Sequence, residues 1–225
     1  NKMVETAEDE MAGAIEAYEQ LLAEYPERPG NDQVLYQLAR AYDLRGMSEE
    51  HLATLTTLVN EHPDSQFWVE AQFRRGDLLF SNRRYTEAEQ AFRTVIDADP
   101  ARRDDASFLV NAHYMLGWSQ FKQGSYREAL FSYINVLDLV MPEEQDVESV
   151  GQEYRTMMED LFRVFGRSLS YLDGADTLQA IFRETGEKPY EILVYDRYSD
   201  LLLEREQYTD AIDVFERYID ARPLS

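Results

Sequence analysis

Prolines end several segments of this 225-residue chain that share one side-chain pattern. In the segment with Ala88, Phe92 and Pro100, the large residue follows the small one after four positions, and the proline comes eight positions later. A small side chain lets a neighbouring helix approach, and a large one a turn later fills the groove beside it. The pattern therefore predicts repeated pairs of packed helices. Its copies are Ala14/Tyr18/Pro26, His51/Leu55/Pro63, Ala88/Phe92/Pro100, Ala129/Tyr133/Pro142 (one residue out of register) and Ala211/Phe215/Pro223.

An additional amphipathic helix precedes each of these segments. Leu35, Leu38, Ala39 and Tyr42 recur at steps of three and four residues, which places them on one stripe of a helix. Short turns separate the two helices of a pair, and the glycine in residues 123–126 suits a helix C-terminal cap. The looser first-helix stripes are Phe73, Gly76 and Leu79, and then Tyr114, Leu116, Gly117 and Phe121.

The two helices together resemble the tetratricopeptide repeat, which carries a small residue on its first helix, Ala-x-x-x-Phe on its second and a final proline. A plain helix bundle would not be expected to show these positions in phase. The resemblance covers nearly the whole chain and implies an all-α fold, a right-handed superhelical solenoid of antiparallel helix pairs. We predict a single solenoid over 1–225, with a partial first repeat at 1–30 and repeats at 31–66, 67–103, 104–145, 146–189 and 190–225.

The departures from the family pattern are informative as well. The spacing of 37 residues between Pro26, Pro63 and Pro100 exceeds the usual period of about 34, which predicts extended helices or loops. The repeat at 146–189 lacks the alanine. The weak pattern of residues 1–10 favours a chain that begins inside or at the edge of a repeat array.

Residues 62–65, 76–80 and 85–89 are similar to one branch of the family, the bacterial cell-envelope repeat proteins. That branch includes the outer-membrane lipoprotein of the β-barrel assembly machinery and periplasmic coordinators of cell division. The resemblance implies a periplasmic or outer-membrane-associated location in a Gram-negative bacterium. The absence of cysteine fits an oxidising compartment, but many cytosolic proteins also lack cysteine, so a cytoplasmic location is the alternative.

Charge restricts the classes of partner. The formal net charge is −22, which disfavours nucleic-acid backbones and anionic membrane surfaces and can steer basic partners. No apolar run approaches the roughly 20 residues that a transmembrane helix needs. We therefore expect a protein or peptide partner, no nucleic acid and no transmembrane segment; the sequence leaves the oligomeric state open.

The sequence predicts no enzyme, no cofactor and no metal. His51, His62 and His113 do not stand at metal-binding spacing, and the isolated glycines form no phosphate-binding loop. The many acidic pairs are typical of a solvated surface. The acidic run 142–148 lacks the ligand spacing and central glycine of a calcium loop.

The first helices of such a solenoid line its inner surface, where side chains one turn from the packing stripe would meet a partner. Tyrosine and tryptophan dominate binding hot spots, and arginine can pair with a carboxylate. The lysine-and-asparagine clamp of chaperone-binding repeats is absent. The predicted partner-binding residues are Tyr36, Arg40, Phe73, Tyr114, Trp118, Phe121, Arg163, Arg167 and Tyr171.

Three functional interpretations follow. The first is a non-enzymatic scaffold that binds a peptide or helix of a partner, in a cell-envelope assembly. The second is a structural spacer within a longer repeat array, whose inner aromatic residues only fill the core. The third, an acid/base hydrolase with two carboxylates, has no supporting pattern.

Overall fold

The computed structural model describes residues 2–102, 106–141, 143 and 150–221, and every regular element in these ranges is helical. This confirms the predicted all-α class. The helices are α1 (Lys2–Glu24), α2 (Asn31–Leu44), α3 (Ser48–Glu61), α4 (Trp68–Ser81), α5 (Tyr85–Ile96), α6 (Ala106–Lys122), α7 (Tyr126–Val140), α8 (Gln152–Ser170), α9 (Gly174–Thr185), α10 (Glu191–Glu204) and α11 (Tyr208–Ala221), with a 3₁₀ turn at Pro100–Arg102.

The chain divides into two compact units, unit 1 (Asn1–Ala112) and unit 2 (His113–Ser225). The boundary falls inside α6, within the predicted repeat 104–145. Pro142, Pro223 and all of the acidic run 142–148 except Glu143 lie outside the described residues.

In unit 1, each helix from α1 to α4 packs against the next helix along the chain. The chain enters α2 through Gly30, whose φ of 92° lies in the left-handed region that glycine adopts without strain. Leu35, Ala39, Leu55, Leu58 and Ala71 form one buried cluster that joins α2, α3 and α4. The predicted stripe of α2 therefore faces the core.

The small and aromatic positions of a repeat contact each other directly. A Cβ atom added to Gly76 would lie 2.7 Å from Cε1 of Phe92, and one added to Gly117 would lie 2.5 Å from Cε1 of Tyr133. The glycines thus let the second-helix ring lie against the backbone of the first helix of the same repeat. Ala88, Phe92, Ala129 and Tyr133 are all 0% exposed, as the phased pattern predicts.

Unit 2 shows the packing order of stacked helix pairs. The first helices α8 and α10 are neighbours, the second helices α9 and α11 are neighbours, and α8–α9 and α10–α11 form the pairs. Gly166 of α8 lies against α10, because an added Cβ would be 2.5 Å from Cδ2 of Leu201. The repeat that lacks alanine still folds as a complete pair, with the buried Leu178 in the alanine position.

Tyr190 takes the position that proline holds in the other repeats, eight residues after Phe182. Its ring is fully buried, its hydroxyl donates to Oδ1 of Asp138 on α7 at 2.5 Å, and the same hydroxyl oxygen lies 3.3 Å from the carbonyl oxygen of Ile134. Lys188 pairs with Oδ2 of the same aspartate at 2.7 Å. These bonds tie the segment before α10 to α7 without a proline.

Replacing Tyr133 by phenylalanine is expected to raise the free energy of unfolding by about 1 kcal/mol. The Tyr133 hydroxyl is buried and forms no hydrogen bond within the described part of the chain, so folding removes it from water without compensation. Tyr190→Phe is the matched control, since Tyr190 is equally buried but hydrogen-bonded, and this change should destabilise the protein. Urea titrations of both variants measure the difference. Equal destabilisation by the two changes would contradict the prediction.

Candidate partner-binding site

A carboxylate on α8 joins two predicted site residues of α6 in unit 2. The Tyr114 hydroxyl donates to Oδ2 of Asp160 at 2.5 Å, and Nε1 of Trp118 donates to the same oxygen at 3.2 Å. Arg163 pairs with Oδ1 of Asp160 at 3.0 Å. Asp160 thus orients the tyrosine and the tryptophan of one first helix and an arginine of the next.

Four aromatic rings extend this site towards the ends of α6 and α8; we name Trp118, Phe121, Tyr126 and Tyr171 the aromatic cluster. Trp118 and Phe121 meet edge to face with centroids 5.6 Å apart, and Phe121 lies 6.2 Å from Tyr171. Tyr126 and Tyr171 stack at 4.5 Å. The rings form one connected surface, because offset and edge-to-face contacts at these distances are attractive.

The cluster remains accessible along α8. Tyr171 is 58% exposed, and the side chain of Arg163 is 65% exposed. Arg167 is exposed and enters no ion pair within the described residues. Because Arg163, Arg167 and Tyr171 follow Asp160 at steps of three and four residues, they share one stripe of the helix. The stripe offers two guanidinium groups next to an exposed ring.

At the polar end of the site, the Tyr114 hydroxyl is a hydrogen-bond donor to Asp160. Burial, and then the hydrogen bond to Asp160, raises the pKa of Tyr114 to about 12. The hydroxyl therefore stays protonated near neutral pH and donates its hydrogen bond to the carboxylate. Lys122 places its Nζ 5.4 Å from the centroid of the Trp118 ring, a cation–π contact that adds positive charge beside the aromatic cluster.

Unit 1 contains a similar brace between consecutive first helices. The Tyr36 hydroxyl donates to Glu70, and burial together with this bond raises the pKa of Tyr36. The Tyr36 ring stacks on Phe67 at 4.3 Å, and Glu70 also pairs with Arg74 at 2.7 Å. In both units a first-helix tyrosine donates to a carboxylate of the following first helix.

Two other predicted site residues lie in unit 1. Arg40 is exposed on α2. Phe73 is half-buried and lies between Phe92 and Phe108, with centroids 5.6 and 5.7 Å away, so its ring packs within unit 1. A binding role for either residue stays a prediction.

The structure brings together five of the nine predicted residues, namely Tyr114, Trp118, Phe121, Arg163 and Tyr171, with Arg167 on the same helix stripe. A binding role for them stays a prediction. The sequence analysis did not identify Asp160, Lys122 and Tyr126 as their neighbours. Asp160 had a detectable signal, because it precedes Gly166 by six residues, as Glu70 precedes Gly76. Lys122 had one as well, because it follows Trp118 by four residues on α6 and so lies on the same face of that helix.

The histidines and carboxylates of the described residues do not assemble a metal site, since no group of three or more could hold an ion. His51 is buried with Nδ1 3.5 Å from Asp43, and burial lowers its pKa. No described helix has the length and apolar character required to cross a bilayer.

Two family models of the tetratricopeptide repeat match the chain, over residues 5–73 and 52–103. Together the two matches span residues 5–103, less than half of the chain, and they indicate tetratricopeptide repeats in that range. The repeat positions of unit 1 described above, including Gly76 and Phe92, fall within this range. No curated protein sequence matches the chain.

Solved structures extend the likeness to both units. The chain is similar to the protein MamA in a crystal structure, with 16% sequence identity and a TM-score of 0.56. The match covers 90% of this chain and 88% of the MamA chain. A tetratricopeptide repeat protein from Parabacteroides merdae is 15% identical with a TM-score of 0.55, and the match covers 98% of this chain and 77% of that one. These likenesses show the fold alone. They confirm the predicted class, an all-α solenoid of tetratricopeptide-type helix pairs.

Proposed function

We propose that this repeat protein is a non-enzymatic interaction scaffold that binds an extended segment of a partner protein on unit 2, at the aromatic cluster and the adjoining stripe of α8. Tetratricopeptide repeats generally serve as protein-binding modules without catalysis, which supports the class of function. The main support for placing the binding site here is the exposed Tyr171 ring, which stacks on Tyr126 beside the exposed arginines of α8.

The chemistry of the site favours a particular partner segment. Arg163 and Arg167 are exposed cations in a chain of net charge −22, so a carboxylate on the partner gains attraction here that most of the surface would not give. Tyr171 and the rings behind it favour an apolar or aromatic side chain next to that carboxylate. We expect a segment in which an acidic residue neighbours a large apolar one.

Replacing Tyr171 by alanine is expected to weaken binding of such a segment at least tenfold, because a ring that closes over the partner is lost. The segment would be selected from a displayed library of random peptides on the wild-type chain, and affinities measured by calorimetry. Tyr25→Ala is the matched control, since Tyr25 is 55% exposed but lies in unit 1, outside the aromatic cluster. Selected peptides that bind Tyr171→Ala as tightly as the wild type, or a selection without acidic peptides, would reject the site.

The internal contacts of the aromatic residues favour a second candidate function, a spacer within a longer repeat array. Trp118 donates a hydrogen bond to Asp160, and Phe121 packs against Trp118 and Tyr126. Residues that only fill a core would make such internal contacts. The spacer hypothesis predicts that the peptide-library selection yields no peptide whose affinity depends on Tyr171 or Arg167. The same experiment therefore separates the two functions.

For location we propose the envelope of a Gram-negative bacterium, with the cytoplasm as the alternative. The support is the sequence resemblance at residues 62–65, 76–80 and 85–89 and the absence of cysteine. Fractionation of cells that express the full-length gene product at its natural level tests this, and recovery in the cytosolic fraction would reject it.

A further inference from the structure

The last described helix, α11, carries an exposed apolar stripe that the partner-binding site does not use. Tyr208, Ile212 and Ile219 are each 60% exposed, and Phe215 is 37% exposed. Their spacing of four, three and four residues puts them on one face of the helix. We name these four residues the α11 stripe. Most apolar residues on monomer surfaces are scattered singly, whereas a continuous stripe marks an interaction surface.

The equivalent face of α9, in the preceding repeat, is covered by neighbouring helices. Ala175, Gln179 and Phe182 of α9 stand at the repeat positions of Tyr208, Ile212 and Phe215, and they are 6%, 8% and 5% exposed. Helices cover them: Nε2 of Gln179 donates to the carbonyl of Arg217 on α11 at 3.0 Å, and Phe182 stacks on Tyr195 of α10 at 5.9 Å. The face is thus shaped to receive helices.

Charge identifies the kind of helix. Glu216 and Asp220 flank the α11 stripe, are exposed, and form no ion pair within the described residues. Lysine or arginine residues beside the apolar face of an incoming helix would meet these carboxylates. A second copy of this chain would instead bring the same carboxylates together, in a molecule that already carries −22.

We propose that the α11 stripe docks a basic amphipathic helix of a partner protein. The partner's apolar residues would cover Ile212, Phe215 and Ile219, and its basic residues would pair with Glu216 and Asp220. This surface is separate from the aromatic cluster, and its occupancy does not depend on the function proposed there.

Two labelled synthetic helices test the proposal by fluorescence anisotropy with the full chain. Both have about 18 residues and the same leucine face, one flanked by lysine and arginine and the other by glutamate. The basic helix is expected to bind at least tenfold more tightly, and its affinity should fall with added salt. Equal affinity for the two helices, or binding of neither by a chain that remains monomeric, would overturn the proposal; the latter would leave a further repeat of the same polypeptide as the covering element.

A double variant, Ile212→Ser with Ile219→Ser, locates the binding. Both side chains are largely exposed, so the fold should survive, as circular dichroism would show. Affinity for the basic helix should fall at least tenfold. Leu44→Ser is the control, because Leu44 is 71% exposed on α2 and should not affect binding. Unchanged affinity in the double variant would overturn the proposal, and so would self-association that sedimentation detects in the wild type and not in the double variant.

Discussion

Replacing Phe92 by alanine is expected to lower the free energy of unfolding by about 3–5 kcal/mol. The ring is 0% exposed, and it lies against the backbone at Gly76 and against Phe73. The glycine cannot fill the space that the ring leaves, and Phe73 is held from its other side by Phe108. The site therefore has few ways to collapse, and a cavity adds to the lost burial energy.

Phe215→Ala is the matched control for this prediction. Phe215 stands at the same repeat position as Phe92, four residues after an alanine, but it is 37% exposed on α11. Its truncation should cost clearly less, since the ring already contacts water and leaves a smaller cavity. Urea unfolding followed by circular dichroism measures both variants. If Phe92→Ala costs no more than Phe215→Ala, the ring is not the packing element that the repeat pattern predicts.

Much of the fold could be predicted from the sequence because its packing is local. Ala88 and Phe92 are one turn apart on one helix, and Gly76 lies on the helix just before them, so phase alone identifies their contact. The α8–α9 pair was harder to recognise, since Leu178 replaces the alanine. The pair still forms, and the glycine of its first helix, Gly166, lies against Leu201 of α10.

The candidate site was only partly predictable, because its key contacts join distant parts of the chain. Tyr114 and Asp160 are 46 residues apart, and the chain has 44 acidic residues from which to choose a partner. Phe73 illustrates a different difficulty. A ring one turn from the packing stripe can face solvent or turn back into the core, and the position of Phe108 decides which. Exposure of the α11 stripe likewise depends on whether another helix covers it.

Replacing Asp77 by asparagine is expected to stabilise the protein by about 2 kcal/mol at pH 7 and by much less at pH 4. Asp77 follows Gly76 on α4, and its carboxylate has no hydrogen bond or ion pair within the described residues. Burial raises the pKa of Asp77 from 3.8 to about 6, although the charge of Arg74 lowers it in part. The folded state therefore holds the proton more tightly than the unfolded state does.

The pH dependence follows from that difference. Below about pH 4 the carboxyl is protonated in both states, so its charge costs the folded state nothing. Between pH 4 and 6 the unfolded state loses the proton first, and stability falls; above pH 6 the loss is complete. Asparagine cannot ionise and removes this cost. Asp200→Asn, at an exposed aspartate inside α10, is the control and should change little at either pH. Urea titrations at both pH values would contradict the prediction if Asp77→Asn gave the same gain at pH 4 as at pH 7, because the benefit would then not come from a buried charge.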